Sequence, residues 1–287
     1  MNKKFWLITT EHLKNRLWFR DEEDFKAGMN YVALISTKYP GGILAFVLMS
    51  NHVHFVMECT EDNALNFINS FKSAYSKYFY NKYSSKELLR SNKVDLREVT
   101  SLDESLERAI AYVQMNCVAA NICLHPSGYS WGTGDSFFRE TPYVGKTIRN
   151  LTGRAIIKMT HSKKTLPADY LVNDRGFIIP YSYVNVKKVE ALFRTPKRMN
   201  YFLQSSSKAA KTNNLPTMPS FRDQTVSDGL KDFCTSVYGK KHLSELSLEQ
   251  TSEILKQLRY RFSADPNQIS RVSGLPYDTV SKLLEKF

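Results

Sequence analysis

The chain has 287 residues, of which 42% are hydrophobic and 13% aromatic, so it is long enough to fold around one large core or two smaller ones. This composition excludes an intrinsically disordered protein, and no apolar run approaches the roughly 20 residues that cross a bilayer, so we expect a cytoplasmic protein without a membrane partner. The net charge of +12 favours a polyanionic partner, nucleic acid first, because Lys and Arg beside phosphates release counterions.

Apolar periodicity predicts alternating strands and helices in the first half of the chain. Acidic residues in the first turn and a Pro-Gly-Gly end mark the first helix, and a turn at Ser50-Asn51 joins two antiparallel strands. The order predicts an α+β fold with helices on one face of an antiparallel sheet and the other face open to a ligand. The predicted segments are strands at 1–11, 43–49 and 52–58 and helices at about 21–39, 62–83 and 101–117.

Two histidines on the third strand form the first candidate site. Alternate side chains of a strand share a face, so His52 and His54 point one way while Val53 and Phe55 point the other. Neutral imidazoles are common ligands for divalent metals, and the apolar face can hold both rings in place. A bare His-x-His pair equally suits a strand-end residue beside a packed one, so the pair alone does not decide.

A second candidate pair lies on the third helix. Tyr112 and Asn116 are four residues apart, hence one turn apart on the same face, so a phenol and an amide can approach one site together. Without the histidines, the same pair would suit a helix aromatic and a terminal capping residue.

The C-terminal sequence has the layout of two helices joined by a glycine turn. Residues 267–273 and 277–284 flank Gly274, which predicts a helix-turn-helix at about 265–286, with an ordinary helical hairpin as the alternative. A segment rich in Asn, Thr and Pro, 213–219, is expected to be a linker. The four cysteines (Cys59, Cys117, Cys123 and Cys234) lack paired spacing and are expected to be reduced core residues.

Basic and polar residues spread along the chain are candidates for DNA contact. Two lie in the basic loop after the first strand, two beside aromatic residues on the second helix and four in the basic segment that follows residue 145, and a solvated basic face is the alternative for the last two groups. Four more lie on the last predicted helix, where a helix-turn-helix would place them in a major groove. The candidates are Arg16, Arg20, Lys72, Lys77, Arg149, Arg154, Lys197, Arg198, Tyr277, Thr279, Ser281 and Lys282.

Taken in order, these segments resemble the HUH family of single-tyrosine transposases, which comprises insertion-sequence-200-like enzymes and the REP-associated tyrosine transposases. Residues 48–58 are similar to its Met-Pro-Asn-His-Val-His signature, and residues 112–116 to the start of its Tyr-Val-x-x-Asn-Pro-Val-Arg-Ala segment. Ser50 and Cys117 replace prolines of these motifs, and Ala119-Ala120 lacks the arginine. Further matches are 17–25, then Lys72, Tyr75 and Phe79, and finally Tyr129-Ser130-Trp131.

The resemblance covers about residues 5–138 and implies a ferredoxin-like HUH catalytic domain at 1–145. The basic segments and the helical pattern after it predict a basic DNA-contacting connection at 146–212 and a mainly helical C-terminal domain at 213–287. The resemblance also implies a divalent metal, Mg²⁺ or Mn²⁺, and a tyrosine nucleophile that forms a 5′-phosphotyrosine bond and a free 3′ hydroxyl. The implied residues are His52, His54 and Asn116 as metal ligands and Tyr112 as the nucleophile. Two alternatives come from the sequence pattern: Glu58, on the same strand face as the histidines, is a supplementary or replacement ligand, and Tyr75, in the tyrosine-rich second helix, is the rival nucleophile.

Three functions are therefore weighed. The first is a metal-dependent transposase that cleaves and rejoins single-stranded DNA at hairpin-flanked element ends, as a monomer or as a homodimer that exchanges tyrosines. The second is a domesticated DNA-binding regulator of transposon origin that no longer cuts. A metal hydrolase built on the histidine pair is disfavoured, because the positive charge suits a phosphate polymer.

Overall fold

The computed structural model describes residues 3–85, 89–206 and 221–286, apart from the side chains of Arg90 and Lys286. The predicted linker at 213–219 lies outside these residues. The strands are β1 (Lys4–Thr10), β2 (Ile43–Met49), β3 (His52–Cys59), β4 (Val94–Val99), β5 (Lys146–Thr147) and β6 (Leu171–Val172). The helices are α1 (Glu22–Ser36), α2 (Glu61–Tyr83), α3 (Ser105–Gln114), α4 (Asn116–Ala119), α5 (Gly153–Thr160), α6 (Val186–Phe193), α7 (Pro196–Ser205), α8 (Asp223–Tyr238), α9 (Leu248–Phe262), α10 (Pro266–Ser273) and α11 (Tyr277–Lys286).

The first four strands form one antiparallel sheet in the order β2-β3-β1-β4. Strands β2 and β3 are joined by the predicted turn, and the central position of β3 puts both of its histidines between two neighbouring strands. Strands β5 and β6 form a separate two-stranded sheet. The predicted α+β class with an antiparallel sheet and helices is confirmed.

Helices cover both faces of this sheet, which differs from the expected single face. On one face the ring of Phe55 contacts Phe67 and Phe71 of α2, and α2 packs in turn against α1. On the other face α3 crosses β2, β3 and β4. The physical reason is the amphipathic character of α3, whose buried residues Leu106 and Ile110 need an apolar surface to cover them.

The helix boundaries follow from local capping. The Asp21 carboxylate accepts a hydrogen bond from the Asp24 backbone N–H and begins α1, and the Thr60 hydroxyl accepts one from Asn63 and begins α2. Both first turns also contain acidic residues, which interact favourably with the helix dipole. The third predicted helix is divided at Met115 into α3 and the short α4.

Two separate apolar cores are present in the described part of the chain. The first is centred on the sheet and also takes in buried residues of the segment after residue 145, such as Ile178 and Phe193. The second lies within α8–α11 and includes Leu255, Ile269 and Val280. Gly274 sits between α10 and α11 with φ +75°, a left-handed conformation that favours glycine.

None of the helices in the described residues combines the length and the apolar character that a bilayer crossing requires.

Candidate functional site

Three histidines meet at one end of the sheet. His52 and His54 lie on β3 and are buried, whereas His12 is exposed in the loop after β1. One ligand atom from each ring lies within 4.8 Å of the others. The His12 ring stacks on that of His52 with centroids 3.5 Å apart, and the rings of His52 and His54 meet edge to face at 4.7 Å. The two predicted ligands thus stand together with a third imidazole.

Hydrogen bonds at Nδ1 orient the two buried rings. His52 Nδ1 lies 2.8 Å from the Asn51 side-chain oxygen, and His54 Nδ1 lies 3.0 Å from the Thr9 hydroxyl. An amide oxygen only accepts, so His52 carries its proton on Nδ1 and presents the lone pair on Nε2. Such outer contacts fix the tautomer and direction of a ligating imidazole, which fits these rings for holding a metal.

His12 was not among the site residues predicted from the sequence. Its loop is fixed by two reciprocal hydrogen bonds, from the Leu13 backbone N–H to Asn51 O at 3.1 Å and from Asn51 Nδ2 to Leu13 O at 2.9 Å. The signal for this residue is the strand register, because Thr9 pairs with His54 and a residue just beyond the end of β1 must therefore approach His52. A histidine at that position could have been noticed once the pairing of β1 with β3 was known.

Tyr112 lies beside the histidines. Its ring is 5.6 Å from that of His54, edge to face, so the structure brings the predicted nucleophile to the predicted ligands. Burial raises the pKa of the Tyr112 phenol, and the nearby Asp95 carboxylate raises it further. A phenolate here therefore needs an added positive charge close by.

Tyr75, the rival nucleophile, lies away from the histidines. It belongs to α2 on the other face of the sheet, is completely buried and donates a hydrogen bond from its hydroxyl to Trp18 O at 2.5 Å. Burial raises its pKa well above the ordinary value. These contacts are those of a core residue.

The other two predicted ligands have different positions. Asn116 lines a cleft with His12 and His52, and its Nδ2 donates to Tyr112 O at 2.9 Å and to Val113 O at 3.2 Å. Glu58 lies four residues beyond His54, about 13 Å along β3, where its carboxylate pairs with a lysine, Lys188, at 2.6 Å. The structure thus brings Asn116, but not Glu58, to the histidine cluster.

The twelve predicted DNA-contacting residues divide by exposure. Lys72 is buried, donates from Nζ to Asn92 O at 2.5 Å and has its pKa lowered by burial. Arg198 is partly buried and pairs with Glu104 and Glu107, both at 3.2 Å. The other partly buried residues are Arg20, Thr279 and Ser281, and the exposed residues are Arg16, Lys77, Arg149, Arg154, Lys197, Tyr277 and Lys282.

The chain is similar to a known protein family. Residues 8–94, which contain all three histidines, match the family model described as "Transposase IS200 like". A solved structure described as "Structure of the REP associates tyrosine transposase bound to a REP hairpin" is 11% identical, with a TM-score of 0.40, and the alignment covers 60% of this chain and 94% of that one. No curated protein sequence matches the chain. The family resemblance drawn from the motifs is confirmed.

Proposed function

We propose, from the membership of residues 8–94 in the IS200-like transposase family, that this protein is a transposase that cleaves and rejoins single-stranded DNA at hairpin-flanked element ends through Tyr112. The observation that carries the proposal is the position of the Tyr112 ring beside His54, within a cluster of three imidazoles. A phosphate polymer as substrate also agrees with the net charge of +12.

A divalent metal is part of this proposal. His12, His52 and His54 would hold it, and Asn116 at the cleft wall is the candidate for an additional oxygen ligand. Imidazole nitrogen suits Mn²⁺ better than Mg²⁺, which prefers an oxygen shell, so this donor set favours Mn²⁺ of the two predicted ions. When bound, the metal would polarise the scissile phosphate and favour the phenolate form of the tyrosine.

In the proposed reaction the Tyr112 phenolic oxygen bonds to the phosphorus atom and loses its proton to solvent. The bond from phosphorus to the 3′ oxygen of the preceding nucleotide breaks, and that oxygen takes up a proton. The products are a 5′-phosphotyrosine and a free 3′ hydroxyl, and reversal with another 3′ hydroxyl rejoins DNA without a nucleotide cofactor. The hydrogen bond from Asn116 to Tyr112 O links the backbone of the tyrosine to the wall of the cleft.

A non-cutting DNA-binding protein of the same origin is the second candidate. The observation in its favour is Ser50, which stands in place of the motif proline and donates a hydrogen bond to Asp223 of α8 at 2.5 Å. This bond holds the C-terminal helices against the turn that precedes His52. A cleft covered in this way would suit a protein that has kept its DNA surface and given up cleavage.

The test is an incubation of the full chain with labelled single-stranded hairpin oligonucleotides from sequence flanking the gene, with Mn²⁺ or Mg²⁺, followed by a denaturing protein gel. The transposase proposal expects a labelled covalent adduct that is lost in Tyr112→Phe and in His52→Ala. Binding of the hairpins without an adduct, with both metals, would instead support the non-cutting protein. The oligomeric state, a monomer or a homodimer, can be measured on the same preparation by sedimentation.

A further inference from the structure

The cleft beside the histidines is lined by residues from the part of the chain that surrounds the sheet and by residues from the C-terminal helices α8–α11. It has a volume of about 220 Å³, and its lining includes His12, His52 and Asn116. The C-terminal helices also line it: α8 contributes its first residue, and α10 contributes its N-cap residue and two side chains. These four lining residues are Asp223, Asp265, Gln268 and Arg271.

Arg271 is held rigidly at this wall. Its Nε donates to Asp223 Oδ2 at 3.0 Å and its Nη2 donates to Asp223 Oδ1 at 3.1 Å, which is a two-point ion pair. Asp223 is buried and also accepts from Gln268 at 3.0 Å and from Ser50 at 2.5 Å. The carboxylate is therefore surrounded by donors from α10 and from the turn between β2 and β3, and it fixes the plane of the guanidinium.

The two-point pair occupies one edge of the guanidinium. A guanidinium has five N–H donors in a planar fork, so the opposite edge still presents donors. That geometry matches two oxygens of a phosphate, the other common partner of arginine forks. Removing an ion pair from water costs free energy. If the pair served only to hold the C-terminal helices against the turn that precedes His52, apolar side chains would do so at least as well. A charged residue at a cleft wall is therefore explained better by a charged ligand than by docking alone.

The remaining charges of the wall agree with this assignment. Asp223 offsets Arg271, and the carboxylate of Asp265 accepts a hydrogen bond from the Gln268 backbone N–H at 2.9 Å as the N-cap of α10. Arg271 is thus the cation that α10 brings to the cleft, which His12 and His52 also line.

We propose that Arg271 binds a backbone phosphate of single-stranded DNA in this cleft, next to the phosphate that Tyr112 attacks. The proposal rests on the function proposed above, to which it adds a substrate-binding residue from the C-terminal helices. It gives α10 a role in the catalytic cleft that is separate from the duplex reading expected of a helix-turn-helix.

The experiment compares three variants of the full chain by fluorescence anisotropy with an unstructured labelled oligonucleotide, without metal, over a range of salt concentrations. Arg271→Gln is expected to bind about tenfold more weakly and to lower the slope of log K against log salt by about 0.7, the contribution of one phosphate contact on a single strand. Asp223→Asn is expected to bind the oligonucleotide at least as tightly as the unaltered protein does, because the cleft loses a negative charge while the positive charge of Arg271 is retained. Arg259→Gln, at an exposed position of α9, is the matched control and should change neither quantity.

A docking role alone predicts a different pattern. Both Arg271→Gln and Asp223→Asn would then weaken binding equally, and that result would overturn the proposal, as would an Arg271→Gln variant with unchanged affinity and slope. If thermal unfolding shows that Arg271→Gln is not folded, Arg271→Lys replaces it. Lysine keeps the charge, so the slope should be unchanged and the affinity intermediate, whereas a slope that falls in Arg271→Lys contradicts the assignment.

Failure of this inference can be told apart from failure of the proposed function. An adduct that still forms at the normal rate in Arg271→Gln, with normal binding, would remove Arg271 from the site and leave the transposase chemistry standing. Salt-dependent binding that needs Arg271 in a protein that forms no adduct would retain the phosphate contact and remove the cleavage activity.

Discussion

The ring of Tyr112 lies edge to face against the ring of His54, with centroids 5.6 Å apart and planes at 86°. The histidine belongs to the central strand β3, and the tyrosine belongs to α3, which crosses the same face of the sheet. Thr9 holds the other side of the imidazole through Nδ1 at 3.0 Å. Two motifs that are distant in the sequence therefore share one site, and each can be tested separately.

The first prediction separates the two candidate nucleophiles. Tyr112→Phe should abolish the covalent DNA adduct and leave the fold intact, because its phenol is only half-buried. Tyr75→Phe should keep the adduct and destabilise the protein by about 1–3 kcal/mol, because Trp18 O loses its buried donor. The adduct is measured on a denaturing gel and the free energy of unfolding in urea. An adduct present in Tyr112→Phe and absent in Tyr75→Phe would reverse the roles.

The second prediction concerns His12 as a metal ligand. Outer contacts of ligands already contribute about 10–100-fold to metal affinity, so His12→Ala should weaken Mn²⁺ binding by about 100-fold or more in a calorimetric titration. His125→Ala is the control, since that exposed side chain bonds to Ser127 away from the cluster. The three-imidazole assignment fails if His12→Ala binds Mn²⁺ normally while Asn116→Ala does not.

The fold class and the central motif could be predicted from the sequence because both depend on local periodicity, whereas the placement of α3 on the second face of the sheet could not. The alternation of side chains in β3 predicts that His52 and His54 share one face of the strand. Helical spacing predicts that Tyr112 and Asn116 share one face of the third predicted helix. His12 has no such pattern around it, because its place depends on hydrogen bonds between two loops, through Asn51. The contribution of such a residue to the site can be predicted only when the strand register is known.

The contacts of the C-terminal helices with the cleft could not be predicted from the sequence either. The bond between Ser50 and Asp223 joins residues 173 positions apart, and nothing in the local composition of either segment indicates it. Lys72 was predicted to contact DNA, but it is buried. Its position in the helical repeat suits an exposed side chain as well as a buried one. Its burial depends on the hydrogen bond to Asn92 O, and the contact between α2 and the segment before β4 cannot be predicted from local sequence.

The third prediction follows from the burial of Lys72. Lys72→Met removes an ammonium group whose pKa burial lowers and leaves Asn92 O without this donor, so the protein should lose about 1–3 kcal/mol of stability. Its affinity for single-stranded DNA and the salt slope should stay unchanged. Lys77→Met, on the exposed side of the same helix, is the paired variant and should leave stability within about 0.5 kcal/mol. Loss of the salt slope in Lys72→Met would show that the buried lysine contacts DNA after all.

The fourth prediction concerns acid stability and the start of α1. Asp21 caps this helix, and Lys82 Nζ lies 2.7 Å from both of its carboxylate oxygens. Although burial works against the charged form, the hydrogen bond from Lys82 and that from the Asp24 backbone hold the pKa of Asp21 below its ordinary value of 3.8. The folded state therefore binds this proton less readily than the unfolded chain, so the stabilisation is present above about pH 4 and is lost as the pH falls through the folded-state pKa.

Asp21→Asn isolates this charge effect, because asparagine caps a helix about as well as aspartate. At pH 7 the variant should be less stable by about 0.2–1 kcal/mol, a small value because nearly half of the Asp21 side chain is exposed and the pair is screened by solvent. Urea unfolding at pH values from 7 to 2.5 should show the difference shrinking towards zero at the acidic end. Asp174→Asn, at an exposed turn, is the control and should show no such convergence. A difference that stays constant down to pH 2.5 would mean that Asp21 stabilises α1 through its shape and hydrogen bonds, and that its charge contributes nothing.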